Sequence, residues 1–349
     1  MRDDTIHTAP VPLKWVGPIS VSGNVMTGLQ EVPLATYETP LWPSVGRGAK
    51  VSTLTERGIV ATLVDERMAR SVLFEADDAG TAVAAMQALN ARRDELQQVV
   101  AGASRFARLV DIHHQIVGNL LFVRFELTTG DASGHNMVTL ASDRLMDHIL
   151  STVPGLRYGS ISGNYCSDKK ATAVNGILGR GKNIVTELLI PREVVTRRLH
   201  TSPEAIAELN VRKNLIGTIT AGGLRSANAH YANMLLAFYL ATGQDAANIV
   251  EGSQGITHAE VRGGDLYFSC TLPNLIVGTV GNGKDLPFVG ENLARLDCVA
   301  DDRAPGENAR RLAVLCAATV LCGELSLMAA QTNPGELMAA HLTIERKAR

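Results

Sequence analysis

The apolar and polar positions between residues 71 and 162 follow a pattern that predicts a small unit with its own fold. Two stretches there repeat apolar residues at helical spacing, 80–100 and 136–150. Four short apolar runs are typical of strands, namely 72–76, 106–112, 120–127 and 156–161. The resulting order, βαββαβ, is that of a ferredoxin-like fold. We therefore expect residues 71–162 to form a compact small domain inserted into a larger one.

The two flanking pieces, residues 1–70 and 163–349, predict a larger domain that mixes helices and strands. Helical periodicity is strong in three places, at 233–242, around 205–206, and at 309–331. Residues 261–278 alternate as two strands do, whereas 40–55 are rich in Gly and Pro and predict a loop. The predicted fold class is α+β, a large mixed α/β domain with a ferredoxin-like insert.

The longest apolar stretch, residues 312–330, raises the question of a membrane span. Glu324 interrupts it and two arginines precede it, so it is too short and too broken to cross a bilayer. We expect a core helix instead. The first residues contain two early acids and no apolar run, which does not match a secretory signal.

Charge and composition exclude several classes of function. With 33 Lys and Arg against 35 Asp and Glu, the formal net charge of the 349 residues is −2, so no basic excess indicates nucleic acid or a membrane surface. Only 4% of residues are aromatic, which disfavours base stacking. The five cysteines have no C-x-x-C spacing, which disfavours disulfides and a zinc knuckle and favours a reducing cytoplasm.

Several common motifs are missing or incomplete. No G-x-G-x-x-G follows a strand, and neither H-E-x-x-H nor G-x-S-x-G occurs. Residues 176–183 and 278–285 nearly match a P-loop but lack its Ser or Thr, which argues against nucleoside triphosphate hydrolysis. The adjacent His113 and His114 would point to opposite faces of a strand, which is poor geometry for one metal. We therefore predict no metal site.

One segment, residues 162–170, is dense in polar groups and lies where the insert joins the larger domain. Lys169 and Lys170 stand beside Asp168 on a loop that contains glycine. Such a group can bind a carboxylate or stabilise an oxyanion. The alternative is a solvated charged turn.

Two lone carboxylates, Glu38 and Asp245, lie among mostly apolar or small neighbours. If buried, each would suit proton donation near neutrality; alternatively, each is a helix N-cap or a satisfied core acid. His230 and Asn233, three residues apart, share a helix face, although a core histidine bonded to backbone would fit as well. His341 near the C-terminus is either an idle surface residue or, if the tail folds over a site, a mobile proton donor.

A turn rich in small residues, 130–137, leads into the second helix of the insert. Backbone N–H groups at a helix N-terminus favour anions, including a pyrophosphate. A simple capped helix start explains the same pattern equally well.

Together these segments resemble the 3-hydroxy-3-methylglutaryl-CoA (HMG-CoA) reductase family over nearly the whole chain, with class I the most similar. Residues 162–170 match its SGNYC-[ST]-DKK box and 243–245 its GQD box. Other segments are similar to further boxes of the family in the same order, namely 32–38, 128–137, 305–310 and 323–330. The resemblance begins near Val11, and no counterpart of the family's upstream ENVIG box is expected.

The resemblance implies reduction of the thioester HMG-CoA by two successive hydrides to mevalonate and CoA. Lys169 would stabilise the oxyanion and Glu38 would supply a proton to the carbonyl oxygen. Asp245 would hold and tune that pair, and His341 would protonate the departing thiolate. Two alternatives stay open, namely NAD-linked mevalonate oxidation and a paralogue that binds CoA esters or nucleotide without turnover.

The resemblance also implies a binding site for each ligand. Eight positions match those used for the substrate, with Arg47 on the CoA: Arg47, Arg70, Ser162, Asp168, Lys170, Lys213, His230 and Asn233. Nine match positions around the dinucleotide: Ser104, Arg105, Phe106, Asp131, Ser133, Gly134, Asn136, Gly281 and Gly283. Arg105 can pair with a 2′-phosphate, so NADPH is favoured and NADH stays possible. The family further implies a homodimer or higher oligomer with shared active sites, in the cytoplasm and without a membrane anchor.

Overall fold

The computed structural model describes residues 8–345. Its strands are β1 (Leu13–Gly23), β2 (Gly28–Ala35), β3 (Ile59–Ala76), β4 (Leu109–Val117), β5 (Leu120–Leu127), β6 (Leu156–Ile161), β7 (Gly181–Ile190), β8 (Ile256–Arg262) and β9 (Asp265–Leu275). Its α-helices are α1 (Leu41–Ser52), α2 (Ala79–Ala91), α3 (Arg93–Ala103), α4 (His135–Thr152), α5 (Ala173–Leu178), α6 (Arg192–Val194), α7 (Pro203–Leu209), α8 (Thr218–Thr220), α9 (Tyr231–Ala241), α10 (Ile249–Gly252), α11 (Pro287–Arg295), α12 (Glu307–Gln331) and α13 (Glu336–Glu345). Val195–Leu199 and Asn210–Gly217 are π-helical, and Ala246–Asn248 is a turn of 3₁₀-helix.

The long strand β3 connects two sheets. Its first half pairs with β1 and β7 in a sheet of order β2-β1-β3-β7-β9-β8, in which β1 and β3 are parallel and the other pairs antiparallel. Its second half, from Met68, pairs with β5 and β6. One continuous strand therefore belongs to both units.

The second sheet has the order β6-β3-β5-β4 with every pair antiparallel, and α2, α3 and α4 pack against it. This is the ferredoxin-like arrangement, so the predicted order βαββαβ and the α+β fold class are confirmed. The single helix predicted at 80–100 is two helices that meet at Arg92, whose backbone leaves the helical region.

Each of the two sheets that β3 connects has its own cluster of buried apolar side chains. One includes Phe74, Val123 and Leu145 around the second sheet, and the other joins α9 and α12 to the first sheet. The predicted division at residues 70 and 162 stays a prediction, because β3 runs without a break through residues 59–76.

The loop predicted at residues 40–55 is wrong, because α1 occupies Leu41–Ser52. Pro40 is the N-cap and Pro43 lies in the first turn, where a helix needs no N–H donor. Gly48 is a packing residue, since a Cβ there would lie 2.1 Å from the Cys322 carbonyl oxygen of α12. Proline and glycine therefore mark a helix start and a close helix contact rather than a loop.

Helix α12 is the core helix that the apolar pattern predicts. By length and composition it resembles a membrane span, but 94% of its most apolar window is buried inside the protein. The charged residue in this stretch, Glu324, is fully buried and accepts hydrogen bonds from the backbone N–H groups of Ala229 and His230 at 2.6 and 3.0 Å. Glu324 thus satisfies the N-terminus of α9, and this fixes the position of His230.

Candidate active site

Twelve of the predicted site residues line two separate cavities of about 410 Å³ each. The first, here the Glu38 cleft, is lined by Glu38, Pro40, Leu41, Pro43, Ser44, Arg47, His230, Asn233, Ser326, Leu327, Ala330, Gln331, Glu336 and Leu337. The second, here the Lys169 cleft, is lined by Arg70, Ala132, Ser133, Gly134, His135, Asn136, Met137, Asp168, Lys169, Gln244, Asp245, Val280, Gly281, Asn282 and Lys284. Among the described residues the two linings share none, so Glu38 and Lys169 line different cavities.

In the Glu38 cleft, the turn after β2 presents its carboxylate to the first turn of α9. The Thr36 hydroxyl accepts a hydrogen bond from the Glu38 backbone N–H at 2.9 Å. The Asn233 amide donates to the Glu38 carboxylate at 2.8 Å, and His230 Nε2 lies 3.0 Å from the Gly323 carbonyl. The predicted group of Glu38, His230 and Asn233 is therefore brought together by α9 and α12.

Arg47 on α1 forms one wall of this cleft. Its guanidinium donates to the Ser326 hydroxyl at 3.0 Å and to the Ser326 carbonyl at 2.5 Å. It also pairs with Glu336 of α13 at 2.7 Å. Partial burial raises the pKa of Glu336, but the hydrogen bonds from Arg47 and Asn333 outweigh it, so the net pKa lies below its ordinary value. Helix α13 is thus held at the cleft by an ion pair, and no sequence motif had indicated Glu336 as a site residue.

A pocket of about 360 Å³ adjoins the Glu38 cleft through Arg47. Its lining is entirely basic: Arg47, Lys50, Arg197, Arg198 and His200. These residues come from α1 and from the segment that follows β7, so they are distant in sequence. We define them as the basic pocket; such a concentration of cationic groups suits a phosphorylated ligand.

In the Lys169 cleft, Lys169 Nζ lies 2.7 Å from a carboxylate oxygen of Asp245. The hydrogen bond that the Lys169 ammonium donates to Asp245 raises the pKa of Lys169. Partial burial raises the pKa of Asp245, but the Lys169 ammonium and the Ala247 N–H outweigh it, and the net pKa lies below its ordinary value. The pair is therefore ionised at neutral pH.

Of the two alternatives for Asp245, the structure agrees with the helix N-cap and not with the buried proton donor. Its side chain is 48% exposed, and its second role is to cap the turn Ala246–Asn248 through the Ala247 N–H at 3.0 Å. Exposure and a cationic partner both favour the charged carboxylate. The structure supports a holding role for Asp245 instead.

The loop that carries Lys169 has an unusual backbone. Asn164, Ser167 and Lys169 have φ values of 58°, 49° and 55°, a region that side chains with a Cβ seldom adopt. Such a conformation persists only where surrounding contacts enforce it. Contacts with neighbouring segments therefore hold the loop in this conformation, which does not fit a solvated charged turn.

Asp168 sits at the centre of the positive groups beneath this loop. Arg180 donates to its carboxylate at 2.9 Å, while His135 and Arg70 lie at 3.5 and 3.9 Å. Partial burial raises the pKa of Asp168, but His135, Arg180 and Arg70 together hold it far below its ordinary value. Asp168 thus stays ionised and fixes the inner edge of the cleft.

Two glycine-rich turns close the other side of the Lys169 cleft. Gly134, with φ of 98°, is the N-cap of α4, and a Cβ on Gly278 would lie 2.3 Å from the Ser133 backbone nitrogen. The predicted positions Ser133, Gly134, Asn136 and Gly281 line the cleft, so the turn meets the Gly281 loop. Gly283 packs beneath it, against Gly243.

Lys284 completes this wall and was not predicted as a site residue. Its ammonium donates to the Gly243 carbonyl, and burial lowers its pKa to about 8. Gln244 also bridges the two loops, through Gly278 N–H and C=O at 2.9 and 3.0 Å. The turn bearing Asp245 is therefore fastened to the loop bearing Gly281.

Asp131, a predicted dinucleotide position, has a different role. Its carboxylate accepts hydrogen bonds from the Gly306 and Ala309 N–H groups at 2.9 and 3.0 Å, which caps α12. Ser104, Arg105 and Phe106 lie next to this turn, because a Cβ on Gly130 would contact the Phe106 ring. Arg105 is exposed, with its guanidinium 4.6 Å from the centre of that ring.

Three further predicted residues, Ser162, Lys170 and Lys213, lie away from the lining of both clefts. The Ser162 hydroxyl contacts the Cys166 thiol at 3.3 Å, and Lys170 is exposed and donates to the Asp168 carbonyl. Lys213 lies near Glu324; burial lowers its pKa and Glu324 opposes that shift. His341 belongs to α13, but its side chain lies outside the part of the chain that the structure describes.

Two clusters of histidine and carboxylate have ligand atoms close enough to hold a metal ion: Asp111 with His113 and Glu126, and His135 with Asp168 and Glu251. Both clusters already contain arginine, because Arg124 pairs with Glu126, and Arg180 with Asp168 and Glu251. Arginine therefore balances negative charge in both of these clusters of the described chain.

Comparison with known proteins places these features in context. The family model for hydroxymethylglutaryl-coenzyme A reductase matches residues 1–346, so the match starts earlier than the resemblance indicated. The reductase of Pyrococcus abyssi is 45% identical over 331 residues, which cover 94% of this chain and 80% of that protein. The reductase of Aeropyrum pernix is 44% identical over 345 residues, covering 99% and 81%.

Among solved structures, the class II reductase of Streptococcus pneumoniae bound to NADPH in open conformations has the same fold. The TM-score is 0.74 at 19% identity, with 95% of this chain and 88% of that chain covered. At this identity the likeness concerns the fold alone.

Proposed function

The chain belongs to the hydroxymethylglutaryl-coenzyme A reductase family, and from this premise we propose that it reduces HMG-CoA to mevalonate and CoA with NADPH. The observation that carries the proposal is the ion pair of Lys169 and Asp245 at 2.7 Å, beside two glycine-rich turns. This places a fixed ammonium next to a surface suited to a dinucleotide. Hydride transfer to a thioester needs both.

The walls of the Lys169 cleft fit a dinucleotide. A Cβ at Gly281 would have no described atom within 4 Å, so a ligand can approach the backbone there. The N-terminus of α4 favours a phosphate group, and the buried Nε2 of His135 and Nε of Arg70 have no hydrogen-bond partner within the described chain. NADPH supplies the hydride when bound. Ser133, Gly134, Asn136 and Gly281 would hold it, with Arg105 favouring the 2′-phosphate.

The basic pocket supports a CoA thioester as the second ligand. CoA carries a pyrophosphate and a further phosphate at one end and its acyl group at the other. Lys50, Arg197 and Arg198 would bind the phosphates together with His200, while Arg47 would release Glu336 and turn to the ligand. The acyl end would then extend along the Glu38 cleft toward His230 and Asn233.

The negative charge that develops on the carbonyl oxygen and on the leaving thiolate determines the role of each residue. A thioester carbonyl gains negative charge as hydride arrives, and the Lys169 ammonium stabilises that charge. Asp245 keeps Lys169 protonated and in place. Glu38, held by Asn233, supplies the proton to the carbonyl oxygen, and His341 protonates the departing thiolate so that it does not add again.

Because Glu38 and Lys169 line different clefts, the proposal requires two copies of the chain. The Glu38 cleft of one copy would face the Lys169 cleft of the other, in a homodimer or a higher oligomer. The two apolar cores support the division into residues 1–70 with 163–349 and residues 71–162. The five cysteines are free and buried, which supports a reducing cytoplasmic location.

The direct test is a steady-state assay at 340 nm with NADPH or NADH, in both directions. We expect loss of reduced-cofactor absorbance with HMG-CoA and NADPH, and a higher kcat/KM for NADPH than for NADH. A preference for NAD and mevalonate would reassign the physiological direction. Binding of both ligands without turnover in either direction would contradict the proposed reaction.

A second experiment tests the shared site. Glu38→Gln and Lys169→Met each inactivate every site in their own homodimer. When the two variants are mixed, half of the sites in a hybrid dimer contain both native residues. We expect activity to return on mixing under conditions of subunit exchange. A mixture that stays inactive while mass spectrometry detects hybrid dimers would show that the site is not shared.

A further inference from the structure

A buried polar cluster lies beneath the Lys169 loop and takes no part in the chemistry described above. Its members are Glu251 on α10, Arg180 before β7 and Asn175 on α5, each with no exposed surface. Arg180 donates to Glu251 at 2.7 Å, and the Asn175 amide donates to Glu251 at 3.2 Å. The three side chains thus form one connected unit, here the anchor cluster.

The anchor cluster contacts three consecutive residues of the loop. Asn175 donates to the Ser167 carbonyl at 3.0 Å, and Arg180 donates to the Asp168 carboxylate at 2.9 Å. The Lys169 N–H interacts with the Glu251 carboxylate. Two of these loop residues have left-handed backbones that cost free energy unless neighbours enforce them. The anchor cluster is placed to enforce them.

Glu251 also connects to the other half of the ion pair. It follows Asp245 by six residues, through the turn Ala246–Asn248 and α10. Asn274 of β9 donates to the Glu251 carbonyl at 3.2 Å, which ties α10 to the sheet. Glu251 therefore supports Lys169 through the Lys169 backbone N–H, and it supports Asp245 through the short helical segment between them.

From this geometry we infer that Glu251 is a positioning residue for the reductase reaction, which holds the Lys169 loop in its catalytic conformation through Arg180 and Asn175. The inference rests on the proposed function for Lys169. Glu251 does not reach the reacting atoms. It acts by keeping the ammonium where the oxyanion forms, so its loss should lower kcat more than it raises either KM.

Protonation of Glu251 offers a readout that a purely structural residue lacks. Burial raises its pKa to about 7, with Arg180 opposing that shift. The titratable groups that face it come from the loop, α4, α9 and the start of β7: Asp168, Lys169, His135, Tyr239 and Arg180. Below pH 7 the neutral acid binds Arg180 and the Lys169 N–H less strongly. We expect kcat to fall on the acidic side of about pH 7.

The variant Glu251→Gln keeps the shape of the side chain and removes its charge. We expect kcat to fall about tenfold, as for loss of one charge-assisted hydrogen bond, with both KM values within threefold of wild type. The acidic limb near pH 7 should disappear from the kcat profile. Thr319→Val, which removes a buried hydroxyl of α12 with no contact to the loop, is the matched control and should keep the wild-type profile.

Hydrogen exchange provides the measurement that does not depend on turnover. In Glu251→Gln, amides 164–169 should exchange at least about tenfold faster than in wild type and in Thr319→Val. If Glu251→Gln does not fold, Asn175→Ser removes the contacts to Ser167 and Glu251 and should speed the same amides. Loosened amides in an enzyme without reductase activity would refute the proposed function but not the anchor. Unchanged exchange with an unchanged pH profile would overturn the anchor.

Discussion

Replacing Lys169 with methionine should separate its catalytic effect from its effect on stability. At 2.7 Å and full hydration, Lys169 and Asp245 attract each other by about 1.5 kcal/mol. Their side chains are 40% and 48% exposed, so screening and lost side-chain entropy reduce the net contribution to about 0.2–1 kcal/mol. The free energy of unfolding should therefore change by less than about 1 kcal/mol.

The same change removes the ammonium on which the oxyanion depends. Loss of one such group costs about 2.7–4 kcal/mol in the transition state, a fall in kcat of about 10²–10³-fold. The catalytic effect should thus exceed the stability effect severalfold. Methionine has a Cβ as lysine has, so the left-handed backbone at 169 is equally strained in both chains.

The assay combines urea unfolding, NADPH titration by fluorescence and steady-state kinetics on wild type, Lys169→Met, Asp245→Asn and the double variant. NADPH affinity should stay within about threefold of wild type in Lys169→Met, and the double variant should be no slower than Lys169→Met. The pKa of Asp245 is lowered from 3.8 and that of Lys169 is raised from 10.5, so the pair contributes fully between these two values. Its contribution is lost progressively as the pH falls below the first value or rises above the second. Turnover within threefold of wild type, or a parallel loss of NADPH affinity, would refute the assigned role.

Three other variants follow from the geometry. Arg197→Ala with Arg198→Ala should raise the KM for HMG-CoA at least about tenfold and leave the KM for NADPH unchanged; equal changes in both would remove the basic pocket from CoA binding. In wild type the KM for NADPH should change near pH 8, because the Lys284 ammonium loses its proton there as the pH rises. Lys284→Met should abolish this change. If the change persists in the variant, another group causes it. Gly48→Ala should lower the free energy of unfolding by about 1–3 kcal/mol, because the new Cβ would overlap α12. If the variant unfolds at the same urea concentration as wild type, α1 and α12 can move apart without a measurable cost.

Local patterns predicted the order of the elements in the small sheet, but the strand predicted at 106–112 lies at Leu109–Val117 and the helix predicted at 80–100 is two helices. The same patterns could not show that β3 continues from one sheet into the other, since pairing partners are set by contacts distant in sequence. They also misjudged α1, where Gly48 serves a close helix contact rather than a turn.

The chemistry-bearing residues were predicted from motifs, but their surroundings were not. The sequence neighbours of Asp245 left a buried acid and a helix N-cap as alternatives, because its environment is set by Lys169, 76 positions earlier. Glu324 looked like an interruption of an apolar helix, although it satisfies the backbone of α9. Sequence neighbours report local propensity, whereas burial and charge depend on segments that meet only in the fold.

The placement of Lys169 on a strained loop rather than on a helix has a physical explanation. A side chain on a regular helix or strand would project at an angle fixed by the element, whereas left-handed residues at 164, 167 and 169 turn the chain sharply within six positions. The turn allows Asp168 to point inward to Arg180 while Lys169, the next residue, points into the cleft toward Asp245. The cost of the strained backbone is offset by the buried contacts beneath it, so the ammonium is held in place before any ligand binds.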